Sequence, residues 1–242
     1  MITISLAIPT YNSSTYLRKN LDPIISDSRI EEIIICDDGS VDFPELEKSF
    51  QGISKARLTT NEKNIGATDN KTKAVSLCKT SWAILLDDDN IIDTKFIDTL
   101  YTQYWGNGDI IYCPSFAKPA FNFNFISGKL IDRQYVSTHM EDRLLPFLND
   151  GNYLVPTKEY VVCANKNVVG TNLVPDVILF ALFWMKAGNK LKVVPGLEYG
   201  HTMHPDSFWM RNQERGMHEV QLIRAAMTGN WELDPRAINH GH

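Results

Sequence analysis

Three consecutive aspartates stand directly after an apolar run in the sequence. Asp87, Asp88 and Asp89 follow residues 82–86, whose sequence WAILL is typical of a buried strand. Adjacent carboxylates repel one another, and a bound cation or hydrogen-bond donors offset that repulsion. Side chains alternate along a strand, which predicts Asp87 and Asp89 on one side and Asp88 on the other. Such a pair suits Mg²⁺ or Mn²⁺, because substrate phosphate oxygens complete the coordination shell. The alternative is a solvated turn that precedes a helix.

A second acidic pair follows another apolar run. Asp37 and Asp38 come after EEIIIC and lead into Gly39 and Ser40. A carboxylate in this position can accept a hydrogen bond from an N–H group of a nucleotide base. The alternative is a turn or a helix cap, because Asp and Ser are common in both.

The elements that must position these acids alternate along the first half of the chain. Strand-like runs such as ISLAIP, EEIIIC, ARLTTN and WAILL are separated by amphipathic stretches. Near-continuous Ile, Leu and Val are typical of parallel strands covered by helices on both faces. This order predicts a single α/β domain with a doubly wound, mostly parallel, Rossmann-like sheet. Ligands of such sheets bind beyond the carboxyl ends of the strands, where PTYN, CDDGS and DDDN occur.

The second half of the chain is less regular. It includes a predicted helix near MEDRLLPFLN, strand-like NYLVP and EYVVCA, and FNFNF, whose aromatics alternate as in a half-buried strand. The stretch PDVILFALFWMKAGN predicts a helix, with Asp176 near its start and Gly188 just past its end. Asp176 therefore has a purely structural interpretation, as a helix cap, beside any chemical one. A closing helix is predicted within SFWMRNQERGMHEVQLIRAAM.

Composition limits the class of protein. The 242 residues are 43% hydrophobic and carry a formal net charge of -5, so one large domain is expected. No basic run is present, and nucleic acid is therefore not an expected partner. The N-terminal residues do not match a secretion signal, and the most apolar run is shorter than the roughly 18 residues of a membrane-spanning helix. A cytoplasmic location is expected, with or without peripheral attachment to a membrane. The widely spaced cysteines are expected to be reduced core thiols.

Three stretches of the chain together resemble the inverting glycosyltransferases of family two, which have the GT-A fold. They are IPTYNSSTYLRKNL, IIICDDGSVD and NEKNIGATDNKTKAVSLCKTSWAILLDDDNII, and the resemblance extends from Ile2 to the region of Leu100. It implies a metal-dependent hexosyltransferase, with Mn²⁺ or Mg²⁺ as cofactor, that uses a nucleoside-diphosphate sugar, by default a UDP-sugar. The acceptor would be a hydroxyl of a carbohydrate, glycolipid or glycoprotein, in glycan or polysaccharide biosynthesis. Residues 1–105 would form the nucleotide-sugar-binding half, and residues 106–242 the acceptor-binding half with a closing C-terminal helix.

The resemblance also implies a set of donor-binding residues. The end of the first strand and its loop would line the nucleoside pocket, and Asp38 or its neighbour Asp37 would contact the base. The residues implied in donor binding are Pro9, Thr10, Tyr11, Asp37, Asp38, Asn64, Gly66, Asn70, Lys71, Asp88 and Arg211.

The metal ligands and the catalytic base follow from the same resemblance. Asp87 and Asp89 would hold the metal ion and, through it, the diphosphate. His204 would add a ligand, with His201 as the alternative, and an imidazole suits Mn²⁺ better than Mg²⁺. Loop histidines without any ligand are the other interpretation. Asp176 would accept the proton of the acceptor hydroxyl, so that a single displacement inverts the anomeric carbon.

The chain departs from the family pattern at two positions. Asp69 stands where the family usually has an Arg, and Lys71 or Lys73 is the expected replacement for a phosphate contact of that Arg. Pro175 stands where the family usually has a Glu, directly before Asp176.

Other classes of protein share some of these features. A sugar nucleotidyltransferase also combines an α/β domain with a metal and carboxylates, but a Gly-rich loop with Arg and Lys is expected where this chain has TYNSSTY. A catalytically inactive nucleotide- or sugar-binding domain would keep the acidic turns without turnover, and an assay of donor hydrolysis identifies it. A signalling receiver is disfavoured, because its acidic pair would follow the first strand rather than the second.

Overall fold

Strands and helices alternate along the first half of the chain, as the sequence predicts. The computed structural model describes residues 2–106, 108–202 and 208–238. The strands are β1 (Ile4–Thr10), β2 (Ile30–Asp37), β3 (Ala56–Thr60), β4 (Trp82–Leu85), β5 (Ile110–Cys113), β6 (Phe116–Lys118), β7 (Phe121–Asn122), β8 (Leu130–Ile131), β9 (Tyr153–Pro156), β10 (Lys190–Val193) and β11 (Glu198–Gly200). The helices are α1 (Leu17–Leu21), α2 (Phe43–Ser49), α3 (Ala67–Ser76), α4 (Thr94–Tyr101), α5 (Arg133–His139), α6 (Leu144–Leu148), α7 (Thr157–Asn167), α8 (Asp176–Lys186), α9 (Phe208–Arg211) and α10 (Gln213–Thr228). Short 3-10 helices lie at Asn124–Ile126 and Pro235–Ala237.

Eight strands form one sheet, in the order β3-β2-β1-β4-β9-β5-β10-β8. Six of them run in the same direction, and β9 and β8 run in the opposite one. A smaller sheet has the order β11-β6-β7. The mostly parallel α/β sheet predicted from the sequence is thereby confirmed. Strands from residues 1–105 and from residues 106–242 belong to this one sheet, and the division into two functional halves stays a prediction.

Strand β9 lies between β4 and β5 and is antiparallel to both. Its register pairs Tyr153 with Leu85, the last residue of β4. Because the two strands run in opposite directions, the residue before β9 lies beside the residues that follow β4. The start of β9 therefore reaches the same edge of the sheet as the carboxyl ends of the parallel strands.

The centre of the sheet is buried. All seven residues of β1 are buried, and α3 packs against β1 and β2. Helix α8 is buried continuously from Val177 to Met185, as expected of a helix that lies inside a protein core. Among the helices that the structure describes, none is long and apolar enough to cross a membrane. All four cysteines are free thiols, and three of them are buried.

Most element predictions for the second half are confirmed, including α6, α8 and β9, but two strand predictions are wrong. EYVVCA lies within α7, whose core-facing residues recur at helical spacing: Tyr160, Cys163 and Ala164. Their burial outweighs the strand preference of the paired valines. In FNFNF only the first two residues form a strand, β7, because the chain then turns and Phe123 packs against Phe147.

Leu6 provides a test of the packing at the centre of the sheet. Its side chain is fully buried in β1, between β2 and β4. We expect Leu6→Ala to lower the free energy of unfolding by about 2–5 kcal/mol, because the substitution leaves a cavity that the sheet cannot close. Urea denaturation measures the loss. The matched control is Val41→Ala, since Val41 is 92% exposed; its effect should stay within about 0.5 kcal/mol. Similar losses for the two variants would contradict the prediction.

Candidate active site

The carboxyl ends of three adjacent parallel strands meet at one edge of the main sheet. Strand β1 pairs with β2 on one side and with β4 on the other. Thr10, Asp37 and residues 87–89, which we call the acidic turn, therefore lie side by side. The segments PTYN, CDDGS and DDDN are neighbours, as the fold class predicts.

The acidic turn leaves the strand direction directly after β4. The main-chain N–H of Asn90 donates to the carbonyl of Asp87 at 3.1 Å, which closes the turn. Asp88 accepts a hydrogen bond from the main-chain N–H of Tyr11 at 3.3 Å, on the side of β1. The carboxylate of Asp87 instead contacts residues of α3 and of the segment before β9. Asp87 and Asp88 thus point to different sides, while the placement of Asp89 on the side of Asp87 stays a prediction.

The acidic turn is electrostatically crowded. Burial, together with the nearby charge of Asp87, raises the pKa of Asp88 to about 6. Burial and the charges of Asp87 and Asp88 raise the pKa of Asp89 to about 7. Each of these shifts means that the charged carboxylate is less favourable in the folded protein than it is in water. Hydrogen bonds to Asp88 from Thr10, Tyr11 and Ser13 lower its pKa, but burial outweighs them.

Asn152, the residue before β9, holds Asp87 in place. Its Oδ1 accepts from the main-chain N–H of Asp87 at 2.8 Å, and its Nδ2 donates to Oδ2 of Asp87 at 3.3 Å. Behind it, Asp150 accepts from the main-chain N–H of Asn152 and from the hydroxyl of Tyr199, each at 3.1 Å. Burial raises the pKa of Asp150 to about 7. No local sequence pattern identifies these three supporting residues, because Asn152 is 65 residues from Asp87.

Lys71 connects the acidic turn to the start of α8. Its Nζ lies 3.4 Å from Oδ1 of Asp87 and 3.1 Å from Oδ2 of Asp176. Only 12% of its side chain is exposed. Burial by itself would lower the pKa of Lys71, but the charges of Asp176 and Asp87 outweigh it and raise the pKa above its usual range. Lys71 is therefore a buried cation that bridges two carboxylates.

Asp176 is the first residue of α8, and its carboxylate faces Lys71. Pro175 occupies the cap position, and within the described residues no side chain caps this helix end by a hydrogen bond. A capping role therefore does not explain Asp176. An acidic residue in the first helical turn is favoured by the helix dipole, which leaves the carboxylate free to contact groups outside the helix.

Asp37 is buried at the end of β2 and shapes the following turn. Its carboxylate accepts from the main-chain N–H of Ser40 at 2.9 Å, from the Ser40 hydroxyl, and from the hydroxyl of Thr60 at 2.7 Å. These donors satisfy both carboxylate oxygens. The turn interpretation thus accounts for the contacts of Asp37, and its contact with a base stays a prediction.

Asp38 organises the loop that leads into α3. Its carboxylate accepts from Nδ2 of Asn61 and the main-chain N–H of Ile65, each at 2.8 Å, and from the N–H of Gly66 at 3.0 Å. Gly66 has a φ of +94°, a conformation that residues with a β-carbon rarely adopt. Asn64 supports the same loop, since its Oδ1 accepts from the N–H of Gly66 at 3.1 Å.

The remaining predicted donor-side residues differ in exposure. Pro9 and Thr10 are buried within β1, whereas Tyr11 is exposed at its end. Asn70 is buried in α3, and its Nδ2 donates to the carbonyl of Cys36 at 2.7 Å, which ties α3 to β2. Tyr11 is thus the member of this group with a side chain open to a ligand.

The position where the resemblance expects an Arg has a structural role in this chain. Oδ1 of Asp69 accepts from the main-chain N–H of Gly170 at 2.8 Å, in the loop before α8. Lys73 donates to Oδ1 of Asn61, whose Nδ2 donates to Asp38. Lys71 rather than Lys73 therefore faces the acidic turn.

His201 lies near the acidic turn. Its ring packs against those of Phe121 and Tyr199, with centroids 5.3 and 6.1 Å apart. Its Nδ1 is buried and has no hydrogen-bond partner within the described part of the chain. Burial lowers the pKa of His201, while the charge of Asp87 acts in the opposite direction.

The other predicted ligands lie toward the C-terminal helices. His204 is outside the described residues. Arg211 is the last residue of α9, and its side chain is exposed. Over residues 2–106, 108–202 and 208–238, no group of three or more His, Cys, Asp or Glu side chains could hold a metal ion.

Curated glycosyltransferases match part of the chain. Glycosyltransferase GlyG of Streptococcus pneumoniae serotype 4 is 32% identical over 103 residues, which cover 41% of this chain and 34% of GlyG. Glycosyltransferase GlyA of the same organism is 30% identical over 102 residues, which cover 41% of this chain and 15% of GlyA. The chain thus spans well under two thirds of the length of either relative.

Solved structures share the fold over nearly the whole chain. S. aureus TarS 1–349, in complex with UDP-GlcNAc, has a TM-score of 0.65 at 13% identity, with 95% of this chain and 71% of that chain covered. Glucosyl-3-phosphoglycerate synthase of Mycobacterium tuberculosis, in complex with Mn²⁺, UDP and phosphoglyceric acid, has a TM-score of 0.62 at 17% identity, with 94% and 79% covered. Identities this low establish the fold alone.

The family model for Glycosyl transferase family 2 matches residues 5–156, which is more than half of the chain. This span includes β1, the CDDGS segment, the acidic turn and strand β9, so the match extends beyond the resemblance visible in the three motifs. From its matched sequence and its GT-A fold, the chain belongs to glycosyl transferase family 2.

Proposed function

We propose that this chain transfers a sugar from a UDP-sugar to a hydroxyl group of an acceptor, with inversion at the anomeric carbon. The observation that carries the proposal is the contact of Lys71 with both Asp87 and Asp176. This contact keeps Asp87, which we expect at the donor diphosphate, close to Asp176, which we expect at the acceptor hydroxyl. Membership of family 2 supports a glycosyl transfer, and the UDP-GlcNAc and UDP complexes of the two structural neighbours support a uridine nucleotide.

A divalent ion fits the residues at the acidic turn. Asp87 and Asp89 offer carboxylate oxygens, which Mg²⁺ and Mn²⁺ prefer, and burial beside the charges of Asp87 and Asp88 raises the pKa of Asp89. His204 would add a further ligand and favour Mn²⁺. His201, whose buried Nδ1 has no hydrogen-bond partner within the described residues, is the alternative, although Asp87, Asp89 and His201 do not form a three-residue metal group in this structure. A bound ion would stabilise the negative charge that develops on the diphosphate leaving group. The M. tuberculosis synthase was solved with Mn²⁺ and with Mg²⁺.

Asp176 is proposed as the general base. Its carboxylate accepts the proton of the acceptor hydroxyl while the acceptor oxygen forms a bond to the anomeric carbon. The bond from that carbon to the diphosphate breaks, and UDP leaves with the electron pair. A single displacement of this kind inverts the anomeric carbon, and a general base contributes about 10²–10⁴ in rate. Lys71 balances the charges of Asp87 and Asp176 and sets the separation between them.

The nucleoside pocket is proposed at the ends of β1 and β2. Tyr11 is exposed there and offers an aromatic face to the base. Asp38 would contact the base either directly or through the loop of Ile65 and Gly66, whose N–H groups it binds. The proposed donor-side residues are Pro9, Thr10, Tyr11, Asp37, Asp38, Asn64, Gly66, Asn70, Lys71, Asp88 and Arg211.

The acceptor class rests on the family resemblance. A carbohydrate, glycolipid or glycoprotein hydroxyl, used in glycan or polysaccharide biosynthesis, is the proposed acceptor, and a cytoplasmic location stays a prediction. A sugar nucleotidyltransferase and an inactive nucleotide- or sugar-binding domain are the alternatives. Two assays separate the three classes. UDP release from UDP-GlcNAc or UDP-glucose with Mn²⁺ identifies a glycosyltransferase, and pyrophosphate release from UTP and a sugar phosphate identifies a nucleotidyltransferase. An inactive domain releases neither product.

Asp89→Ala tests the metal site. We expect this variant to lose Mn²⁺-dependent binding of UDP, because one of two carboxylate ligands is gone. Isothermal calorimetry with and without Mn²⁺ measures the loss. Folding should not suffer: the pKa of Asp89 rises from 3.8 to about 7 on folding, so its charged form opposes folding increasingly as the pH rises through that range. Above about pH 7 the variant should therefore unfold at the same temperature as the parent or a higher one.

The control for Asp89→Ala is Asp98→Ala, which removes an exposed carboxylate of α4 that pairs with Arg29. It should bind UDP and Mn²⁺ as the parent does. If Asp89→Ala also binds as tightly as the parent in the presence of Mn²⁺, the metal role of Asp89 is wrong.

Asp176→Asn tests the general base. Asparagine keeps the size of the side chain but cannot accept the proton, so we expect kcat to fall by about 10²-fold or more while the affinity for UDP changes little. Transfer kinetics at saturating donor and acceptor measure kcat, and calorimetry measures the affinity. Asp142→Asn, at an exposed carboxylate, is the matched control. A transfer rate of Asp176→Asn within a few-fold of the parent would remove Asp176 from the mechanism.

A further inference from the structure

The loop of residues 170–175, which ends directly before α8, is held by an ion pair on α10. The side chain of Glu219 is only 1% exposed, and its Oε2 accepts from the main-chain N–H of Val174 at 2.7 Å. Arg215, one turn earlier, donates from Nη2 to the carbonyl of Asn172 at 2.9 Å. Its Nε lies 3.3 Å from Oε1 of Glu219. A buried carboxylate is unfavourable unless it is paired and hydrogen-bonded. The carboxylate of Glu219 is paired with Arg215 and accepts a hydrogen bond from the main chain of the loop.

Helix α3 holds the same loop from its other end. Oδ1 of Asp69 accepts from the main-chain N–H of Gly170 at 2.8 Å. Two residues further along α3, Lys71 contacts the carboxylate of Asp176. Charged side chains of α3 and α10 therefore bind the main chain at Gly170, Asn172 and Val174. Lys71 of α3 also binds Asp176, the residue that follows the loop.

The backbone of this loop is constrained in a way that matches these contacts. Asn172 has a φ of +54°, in the left-handed region that residues other than glycine rarely adopt. The helix also approaches the loop closely, since a β-carbon on Gly216 would lie 2.9 Å from Cγ1 of Val174. A strained conformation persists only where its surroundings determine it, and the carbonyl of Asn172 is the group that Arg215 binds.

We infer that Glu219 is a positioning residue for Asp176, and that Arg215 assists it. The inference rests on the proposed role of Asp176 as the general base. Glu219 acts through the main chain: it fixes Val174, two residues before Asp176, and so sets where α8 begins. A displacement of about 1 Å in a catalytic group lowers a rate by about 10²-fold, so a loose loop would affect turnover more than donor binding.

Glu219→Ala and Glu219→Gln test the inference together. We expect Glu219→Ala to lower kcat by about 10- to 100-fold while the Kd for UDP stays within about twofold of the parent. Glu219→Gln should recover most of the rate, because the amide oxygen still accepts from the N–H of Val174. If Glu219 has a purely structural role, Glu219→Ala lowers the amount of folded protein, and the protein that remains folded keeps both the kcat and the Kd of the parent. Kinetics are therefore normalised to the fraction of folded protein measured by circular dichroism.

Arg215→Ala provides a second variant, at a half-buried position. Because it weakens the pairing of the buried carboxylate of Glu219, its kinetics are also normalised to the fraction of folded protein. It should reproduce the loss in kcat at unchanged affinity for UDP. If Arg215 instead contacts the diphosphate, its replacement weakens UDP binding, and that outcome would overturn the inference. The matched control on the same helix is Arg224→Ala, whose side chain pairs with exposed Asp142 at the surface; it should leave kcat and Kd unchanged.

A double variant separates this inference from the proposed function. If Glu219 acts through Asp176, adding Glu219→Ala to Asp176→Asn causes no further loss of kcat, because residues that act as a unit are not additive. A further loss of about 10-fold or more in that background overturns the positioning role. The positioning role is also overturned if Glu219→Ala is fully active while Asp176→Asn is inactive. In that case the assignment of Asp176 as the general base still stands. An active Asp176→Asn contradicts the general base itself, and the inference fails with it.

Discussion

The ammonium group of Lys71 lies between two carboxylates, 3.4 Å from Asp87 and 3.1 Å from Asp176. Lys71 belongs to α3, Asp87 follows β4, and Asp176 begins α8, so one buried cation joins the two halves of the sequence at the sheet edge. Removing one member of such a buried group would leave the others without compensation, which makes the arrangement mutually dependent. Two carboxylates and one ammonium group leave an excess negative charge beside Asp88 and Asp89. A further cation, and through it a diphosphate, suits that edge.

The aspartates at this edge are chemically identical, and their surroundings separate them into two groups. Asp37 and Asp38 are surrounded by donors from Ser40, Thr60 and the loop before α3, and they give that loop its shape. Asp88 and Asp89 are buried beside Asp87, and burial together with that nearby charge raises their pKa values to about 6 and about 7. Carboxylates whose oxygens are satisfied by donors shape the turns at this edge, whereas carboxylates with strongly raised pKa values are candidates for contact with a ligand.

The departure from the family pattern at Asp69 has a structural explanation in this chain. A residue that binds the N–H of Gly170 cannot also serve a phosphate group, and a carboxylate would repel one. Lys71, two residues further along α3, instead brings positive charge to the acidic turn. The closing helix α10 completes the frame, since Glu219 binds the loop that α3 holds from the other side. The C-terminal helices therefore contribute to the geometry of the site as well as to the core.

The sequence by itself determined the order of strands and helices in the first half, the parallel sheet, and the meeting of PTYN, CDDGS and DDDN at one edge. Hydrophobic periodicity is a local property, and parallel strands share their carboxyl ends, so these features follow from short segments. EYVVCA has the local pattern of a strand but forms part of α7, because burial within that helix outweighs the strand preference of valine. Only the tertiary structure decided that Lys71 rather than Lys73 bridges Asp87 and Asp176, and that Asn152 supports Asp87. Those contacts depend on the antiparallel insertion of β9 and on the packing of α3 against α7 and β1, which join distant segments and leave no pattern in any one of them.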